Sequence, residues 1–388
     1  MRSLDEFACE KLAALDDVHL RRTPVETMRE GLYVERAGRR LLSFSCNDYL
    51  NLTHHPAIVQ AAVEATKRHG VGAGASRLVT GNHPLHVALE ERLAGLKEAE
   101  AACVFGSGYL ANTGIIPALV GADDLILVDE LSHACIHAGA KLSGAKVRRY
   151  RHCDIAHAKS LLLENRAAHA HALIATDGIF SMDGDLAPLH DLAELARHFD
   201  VWLLADDAHG LGVVGGGRGS TFASGGPADI PLQMGTLSKA IGAYGGYLCA
   251  SSPVVELMRN RARTLIYSTG LPPAVVASAI AAIDVIESEP DYAALPVKKA
   301  RAFTRALNLP EAQSPIVPVV IGEADKALQA SRLLEDEGYL AVAIRPPTVP
   351  AGTARLRFTF TALHPDEEIE RVASLVRDKI LVREEKLS

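Results

Sequence analysis

With 388 residues, 48% of them hydrophobic and 22% charged, the chain has the balance of a globular protein long enough for two ordinary domains. That excludes a disordered chain. Its net charge is −7 and no run of Lys or Arg exceeds two residues, so neither a nucleic-acid partner nor a membrane surface is expected. Six scattered cysteines, Cys9, Cys46, Cys103, Cys135, Cys153 and Cys249, form no C-x-x-C pair. They read as reduced thiols of a cytoplasmic protein. The start, Met1–Phe7, is charged and lacks the apolar core of a signal peptide.

In chain order, Leu4, Phe7, Leu12 and Leu15 mark an amphipathic helix, and Leu41–Phe44 reads as a short strand. The stretch 101–122 carries no charge, but its four glycines, Ser, Asn and Pro make it a glycine-rich turn before a buried helix rather than a membrane span. Through the middle, helical stretches alternate with the apolar runs Ala102–Phe105, Leu125–Val128, Ala172–Ala175, Val201–Ala205 and Tyr247–Ala250. Such runs predict strands buried on both faces, hence a mostly parallel α/β sheet. From about residue 290 the pattern changes to Ile316–Ile321, Leu340–Ile344 and Arg355–Thr361, the last two alternating apolar and polar residues. This predicts a smaller α+β domain with one solvated sheet face. The expected organisation is an N-terminal segment 1–45, a large domain 46–287 and a small domain 288–388.

Ligands of open α/β sheets sit outside the carboxyl ends of the strands, so the polar residues that follow each apolar run matter most. Gly106-Ser107-Gly108-Tyr109 follows the first, and its glycines before a helix N-terminus suit a phosphate. It also matches the dinucleotide fingerprint G-x-G-x-x-A, with Asp129 standing 21 residues after Gly108, so a nicotinamide oxidoreductase is a rival reading. Val201–Ala205 ends in Asp206-Asp207-Ala-His209. A carboxylate opposite a pyridine nitrogen keeps that nitrogen protonated and the ring electron-poor. Lys239, in Thr236-Leu-Ser-Lys239 and followed by glycines, is not placed like a surface lysine. A partly desolvated lysine deprotonates readily and forms Schiff bases with aldehydes. Phosphate cradle, strand-tip Asp and buried Lys together point to pyridoxal 5′-phosphate.

The supporting stretches are Ser45-Cys-Asn47-Asp-Tyr-Leu, Gly72-Ala-Gly-Ala-Ser-Arg77, Leu131-Ser-His133-Ala and Gly178-Ile-Phe-Ser181-Met-Asp-Gly-Asp185. Further on come Asp206-Asp-Ala-His209-Gly, Thr236-Leu-Ser-Lys239, Ile266-Tyr-Ser268-Thr269 and the run from Ile344 through Thr353 to Arg357. On these, from about Arg21 to the last helix, the chain resembles the α-oxoamine synthase family of fold-type I pyridoxal-phosphate enzymes. The resemblance implies a large domain with a mostly parallel seven-stranded sheet, plus a smaller C-terminal α+β domain. It implies Lys239 as the Schiff-base lysine and Cα base, Asp206 at the pyridinium nitrogen and His133 stacked on the ring. His209 and Ser181 fall to the ring-oxygen edge, and Gly108, Tyr109 and Thr236 to the phosphate end. Ser268 and Thr269 would reach the phosphate of the other subunit, which implies a homodimer. Arg21, His133 and Thr353 match substrate-binding positions, with Asn47 and Arg357 as candidates for the amino-acid carboxylate. The Arg345–Thr353 segment resembles the members that condense L-alanine with a pimeloyl thioester, on coenzyme A or an acyl carrier protein, in biotin synthesis.

Sister reactions, glycine with acetyl-CoA or succinyl-CoA and serine with a long acyl chain, share these parts. The nicotinamide reading leaves Asp206, His209 and Lys239 unexplained, and a catalytically silent module would not need them. His133, Cys135 and His137 lack the third strong ligand of a metal site, and no metal is expected. His152–His157 reads as a polar loop. Of Arg345, Arg355 and Arg357, at least one is expected to be a plain surface charge.

Overall fold

The computed structural model describes residues 3–17 and 21–381. The strands are β1 (Met28–Glu30), β2 (Tyr33–Arg36), β3 (Arg39–Ser43), β4 (Ala101–Phe105), β5 (Leu125–Asp129), β6 (Lys146–Tyr150) and β7 (Ala172–Asp177). They continue with β8 (Trp202–Asp206), β9 (Leu232–Thr236), β10 (Gly246–Ala250), β11 (Ile316–Gly322), β12 (Tyr339–Leu340), β13 (Val342–Ile344) and β14 (Ala354–Thr359). The chain divides into a larger unit, Cys46–Val317 with Thr359–Ser388, and a smaller one, Met1–Ser45 with Pro318–Phe358.

The larger unit holds a seven-stranded sheet in the order β4-β10-β9-β8-β7-β5-β6. Strands β6, β5, β7, β8 and β9 pair in parallel, and only β10 runs antiparallel, to both of its neighbours. Alternate residues serve opposite faces: Ile126 and Val128 of β5 join one apolar cluster, Leu125 and Leu127 another. All four are fully buried, and each such side chain contributes roughly 1.5–3 kcal/mol. That two-sided burial is why β5 reads as an unbroken apolar run. The sequence runs missed β6 and β9, because Lys-Val-Arg-Arg-Tyr is a charged edge strand and Leu-Gln-Met-Gly-Thr carries only two large apolar residues. Except for β10, the sheet's strands run the same way, so their carboxyl ends bring Gly106, Asp129, Asp177, Asp206 and the turn after Thr236 to one edge.

In the smaller unit, β1-β2-β3-β12 form one sheet, in which β12 lies parallel to β3. Phe44 packs on Tyr339 and Phe358, each at 6.1 Å between ring centroids. These contacts tie the N-terminal segment to residues near 340, so it is not a separate body. The expected boundary near residue 287 falls between the helices Pro273–Ser288 and Pro290–Ala306, both within the larger unit. There Lys299 Nζ donates to His364 O at 2.7 Å and to Asp366 Oδ1 at 2.9 Å, fastening the C-terminal helix Asp366–Leu375 to the same unit.

A second sheet has the order β11-β14-β13. The solvated face expected of Arg355–Thr361 is absent, because every residue of β14 is buried, Arg355 and Arg357 included. Arg355 satisfies its guanidinium locally, on Thr353 O at 3.0 Å and Thr353 Oγ1 at 3.2 Å. Arg345 is half-buried, so none of the three arginines is a plain surface charge. The N-terminal helix, Leu4–Asp17, leaves Leu4 and Phe7 exposed. No helix among the described residues is long and apolar enough to cross a membrane.

Candidate active site

Each component stands just beyond a strand end. After β4, Ser107 caps the helix Gly108–Leu119, its Oγ accepting from Leu110 N at 3.2 Å. A Cβ on Gly108 would lie 3.3 Å from Thr236 Cβ, and one on Gly246 only 2.5 Å from Ser107 O. Backbone replaces side chains here, which leaves a helix N-terminus beside the Thr236 hydroxyl. Thr236 Oγ1 lies 2.9 Å from Ser238 Oγ and donates to Gly245 O at 2.7 Å, which orders the turn that carries Lys239. Lys239 is half-buried.

Asp206 ends β8 in register with Asp177 of β7, and both are buried. Asp206 Oδ2 accepts from Asn112 Nδ2 at 2.7 Å, and Oδ1 accepts from Ala208 N at 3.0 Å. Among the described residues it has no salt bridge. Burial pushes its pKa up, while the charges of Lys239 and His133 and the two hydrogen bonds pull the other way. Burial and then the Asp206 charge hold Asp177 well above the carboxylate range. Asp177 Oδ2 accepts from His133 N at 2.8 Å, which fixes the start of the helix Ala134–Ser143. His133 caps that helix, with Nδ1 3.3 Å from Cys135 N and 2.8 Å from Cys135 Sγ. Desolvation lowers the His133 pKa, Asp206 raises it and Lys239 lowers it. Lys239 acts electrostatically on Asp206, Asp177, His133 and Cys135, so its charge lies within electrostatic reach of all four.

His209 is buried, with Nδ1 2.7 Å from the Tyr49 hydroxyl; that hydroxyl lies 3.3 Å from Asn47 Oδ1. A pyridine cofactor with an aldehyde and a phosphate fits these residues. Asp206 is a buried carboxylate held by neutral hydrogen-bond donors, the Lys239 charge reaches it, and a side chain at Gly246 would collide with Ser107 O.

The comparisons agree with this chemistry. The family model for aminotransferase class I and II matches residues 39–376. The 8-amino-7-oxononanoate synthase of Methylocella silvestris is 65% identical over 89% of this chain and 99% of its own. That of Beijerinckia indica is 63% identical over 97% and 98%. This chain belongs to the 8-amino-7-oxononanoate synthase family. Among solved structures, a serine palmitoyltransferase of S. paucimobilis holding a PLP–myriocin adduct has TM-score 0.90 at 28% identity, covering 97% of this chain and 98% of its own. An 8-amino-7-oxononanoate synthase of Francisella tularensis has TM-score 0.76 at 25% identity, covering 89% and 99%. The fold is that of the fold-type I PLP enzymes, and the family uses PLP.

The remaining sequence candidates divide between the two units. Tyr109 is 53% exposed at the first turn of its helix, and Ser181 follows the fully buried Phe180. Ser268 donates to Thr264 O at 2.6 Å, and Thr269 bridges to Ser76. Arg21, Thr353 and Arg357 belong to the smaller unit. There Arg21 pairs with Asp16 at 2.7 Å, and Thr353 Oγ1 donates to Pro350 O at 2.8 Å.

Sequence reasoning missed Asn112, Asp177 and Tyr49, whose parts depend on partners far along the chain. It also took His152 for part of a polar loop. In fact His152 lies between Asp129 Oδ1 at 3.1 Å and Asp185 Oδ2 at 2.8 Å, with Phe180 edge-on. Burial opposes its charge, but the two carboxylates prevail and raise its pKa to about 12. Asp129, His152 and Cys153 bring ligand-type atoms within 4.8 Å of one another. Both imidazole nitrogens are engaged by carboxylates, so the group reads as an ionic clamp.

Proposed function

We propose that this chain condenses L-alanine with a pimeloyl thioester, with loss of CO2 and release of the thiol, to give 8-amino-7-oxononanoate for biotin synthesis. The observation that carries the reading is Asp206: a buried strand-tip carboxylate that has neutral hydrogen-bond donors and, among the described residues, no salt bridge, within electrostatic reach of Lys239. When bound, PLP supplies an electron sink for the negative charge left at the amino acid's Cα.

Lys239 would hold the cofactor through its aldehyde, and its Nζ would be the base that takes the Cα proton. Asp206, oriented by Asn112 and Ala208 N–H, would hold the ring nitrogen and keep it protonated. A cationic partner lowers a carboxyl pKa, so occupation of the site reverses the upward push of burial on Asp206. His133 would cover the ring face. His209, steadied by Tyr49, and Ser181 would hold the ring-oxygen edge. The N–H groups at Gly108 and Tyr109 and the Thr236 hydroxyl would hold the phosphate, together with Ser268 and Thr269 of a second copy in a homodimer. Arg21, Asn47, Thr353 and Arg357 are assigned to the substrates, the thioester being on coenzyme A or an acyl carrier protein.

Incubation with L-alanine, glycine or L-serine and pimeloyl, acetyl, succinyl or palmitoyl thioesters, read by product mass, tests this. Turnover is expected with L-alanine and the pimeloyl donor. Preferred turnover of glycine or serine would move the chain to a sister reaction. Sedimentation of the purified protein as a monomer would remove the shared-site assignment of Ser268 and Thr269.

A further inference from the structure

We propose that Cys135 and Asn112 are positioning residues that hold His133 as the neutral imidazole protonated on Nε2. The inference deepens the reading of His133 as the residue that covers the cofactor ring, and rests on that reading for its catalytic consequence. It begins at the helix cap. The backbone N–H of Cys135, 3.3 Å from His133 Nδ1, can only donate, so Nδ1 is an acceptor and the ring proton sits on Nε2.

A second donor reaches the same nitrogen. Asp206 Oδ2 accepts from Asn112 Nδ2 at 2.7 Å, so the amide turns its NH2, not its oxygen, to this end of the pocket. The other amide hydrogen points to Cys135 Sγ at 3.1 Å. A sulfur that accepts from Asn112 has its own proton to give, and of the two acceptors in its reach His133 Nδ1, at 2.8 Å, is far nearer than Asp206 Oδ2, at 3.9 Å. Burial and the Asp206 charge push the Cys135 thiol up, so that proton stays on sulfur across the working range. Donors therefore run one way, from Asn112 to Cys135 to His133. A ring nitrogen that already accepts two hydrogen bonds is a poor base, which favours the neutral form.

The charged groups around His133 are Asp206 at the end of β8, Asp177 at the end of β7, Lys239 after β9 and His137 on its own helix. The Asp206 charge favours an imidazolium, while the Lys239 and His137 charges disfavour it. The thiol weighs against protonation in that balance. A neutral His133 keeps one N–H donor for the reaction without adding a second cation beside Lys239.

The test uses cofactor-free wild-type protein, Cys135→Ser, Cys135→Ala and Cys135→Val, with ring-15N histidine followed by NMR from about pH 5 to 9, across the ordinary histidine range. Wild type and Cys135→Ser, which both keep a donor, are expected to show Nε2 protonation and one shared titration midpoint. In Cys135→Ala the His133 protonation constant is expected to rise about 3- to 10-fold, the range one net hydrogen bond supplies. Cys135→Val fills the space without a donor and should follow Cys135→Ala, so one of the two suffices if the other does not fold. In the loaded enzyme the acid limb of kcat/KM should move upward in the same variants and stay in place in Cys135→Ser. Proton on Nδ1 in the wild type, or identical midpoints in all variants, overturns the proposal. Failure to make 8-amino-7-oxononanoate while the cofactor-free titrations behave as described would sink the functional reading instead.

Discussion

Asp206 and Asp207 are neighbours at the tip of β8, equally buried, and they enter regions of different character. Around Asp207 every charge is answered: Lys97 Nζ lies 2.8 Å from Oδ2 with both side chains sealed from water, and Ser220 N donates to Oδ1 at 2.9 Å. Lys97 also donates to Arg218 O at 2.7 Å. Glycines enclose the pair, since a Cβ on Gly210 or Gly219 would lie 2.0 or 1.6 Å from an Asp207 oxygen. Around Asp206 the donors are an amide, a backbone N–H and, at 3.9 Å, the Cys135 thiol, and among the described residues no cation forms a salt bridge with it. Burial is thus common to both carboxylates. What distinguishes a binding site is charge held in place by neutral partners and left for a ligand to neutralise.

The sharpest way to break this contrast is to neutralise each acid in turn. Asp206→Asn keeps the hydrogen-bonding shape but loses the charge opposite the ring nitrogen, and activity is expected to fall about 10²- to 10⁴-fold with little change in melting temperature. An Asp206→Asn enzyme within a few-fold of wild type would place the site elsewhere. Asp207→Asn strands a buried Lys97 cation, so the loss is expected in stability, about 3–5 kcal/mol in urea unfolding, with activity per folded molecule largely kept.

A smaller effect is expected at the cradle. Gly108→Ala puts a methyl group 3.3 Å from Thr236 Cβ and should weaken cofactor affinity about 10-fold, roughly 1.4 kcal/mol, measured by fluorescence titration of cofactor-free protein. The smallest effect concerns His152, whose clamp resembles the Asp207 region in having its charge answered. Its folded pKa, about 12, lies above the ordinary 6.5, so the stabilisation it brings is complete below about pH 6.5 and is lost progressively as pH rises toward about 12. Melting temperatures of wild type and His152→Gln should therefore converge between about pH 7 and pH 10. Curves that stay parallel would show that the clamp does not depend on charge.

Much of this was legible in the residues. Five of the seven strands of the large sheet announce themselves as apolar runs, because a strand covered on both faces tolerates little else. Gly106–Tyr109, Asp206, His209 and Lys239 stand just beyond those runs or, for Lys239, on a glycine-flanked turn, so their chemistry could be read from position. Position alone did not separate the two adjacent acids, and only the family resemblance singled out Asp206; the partner that sets Asp207 apart, Lys97, stands 110 residues earlier in the chain. The alternation in Arg355–Thr361 misled for a related reason. Arg355 is buried with its guanidinium bonded to Thr353, and side-chain polarity alone does not tell whether a charged group is satisfied inside.

By itself, then, the sequence determined the strand runs, the glycine turn before a helix, the acid and the lysine after their strands, and the family to which they belong. These are properties of local pattern, set by which residues can line a covered strand or a tight turn. Tertiary structure alone decided that Asn112 and Cys135 stand between Asp206 and His133, that Lys97 answers Asp207, and that His152 is clamped by Asp129 and Asp185. Those are electrostatic facts, and the field at a buried group depends on neighbours that the chain brings together only when it folds.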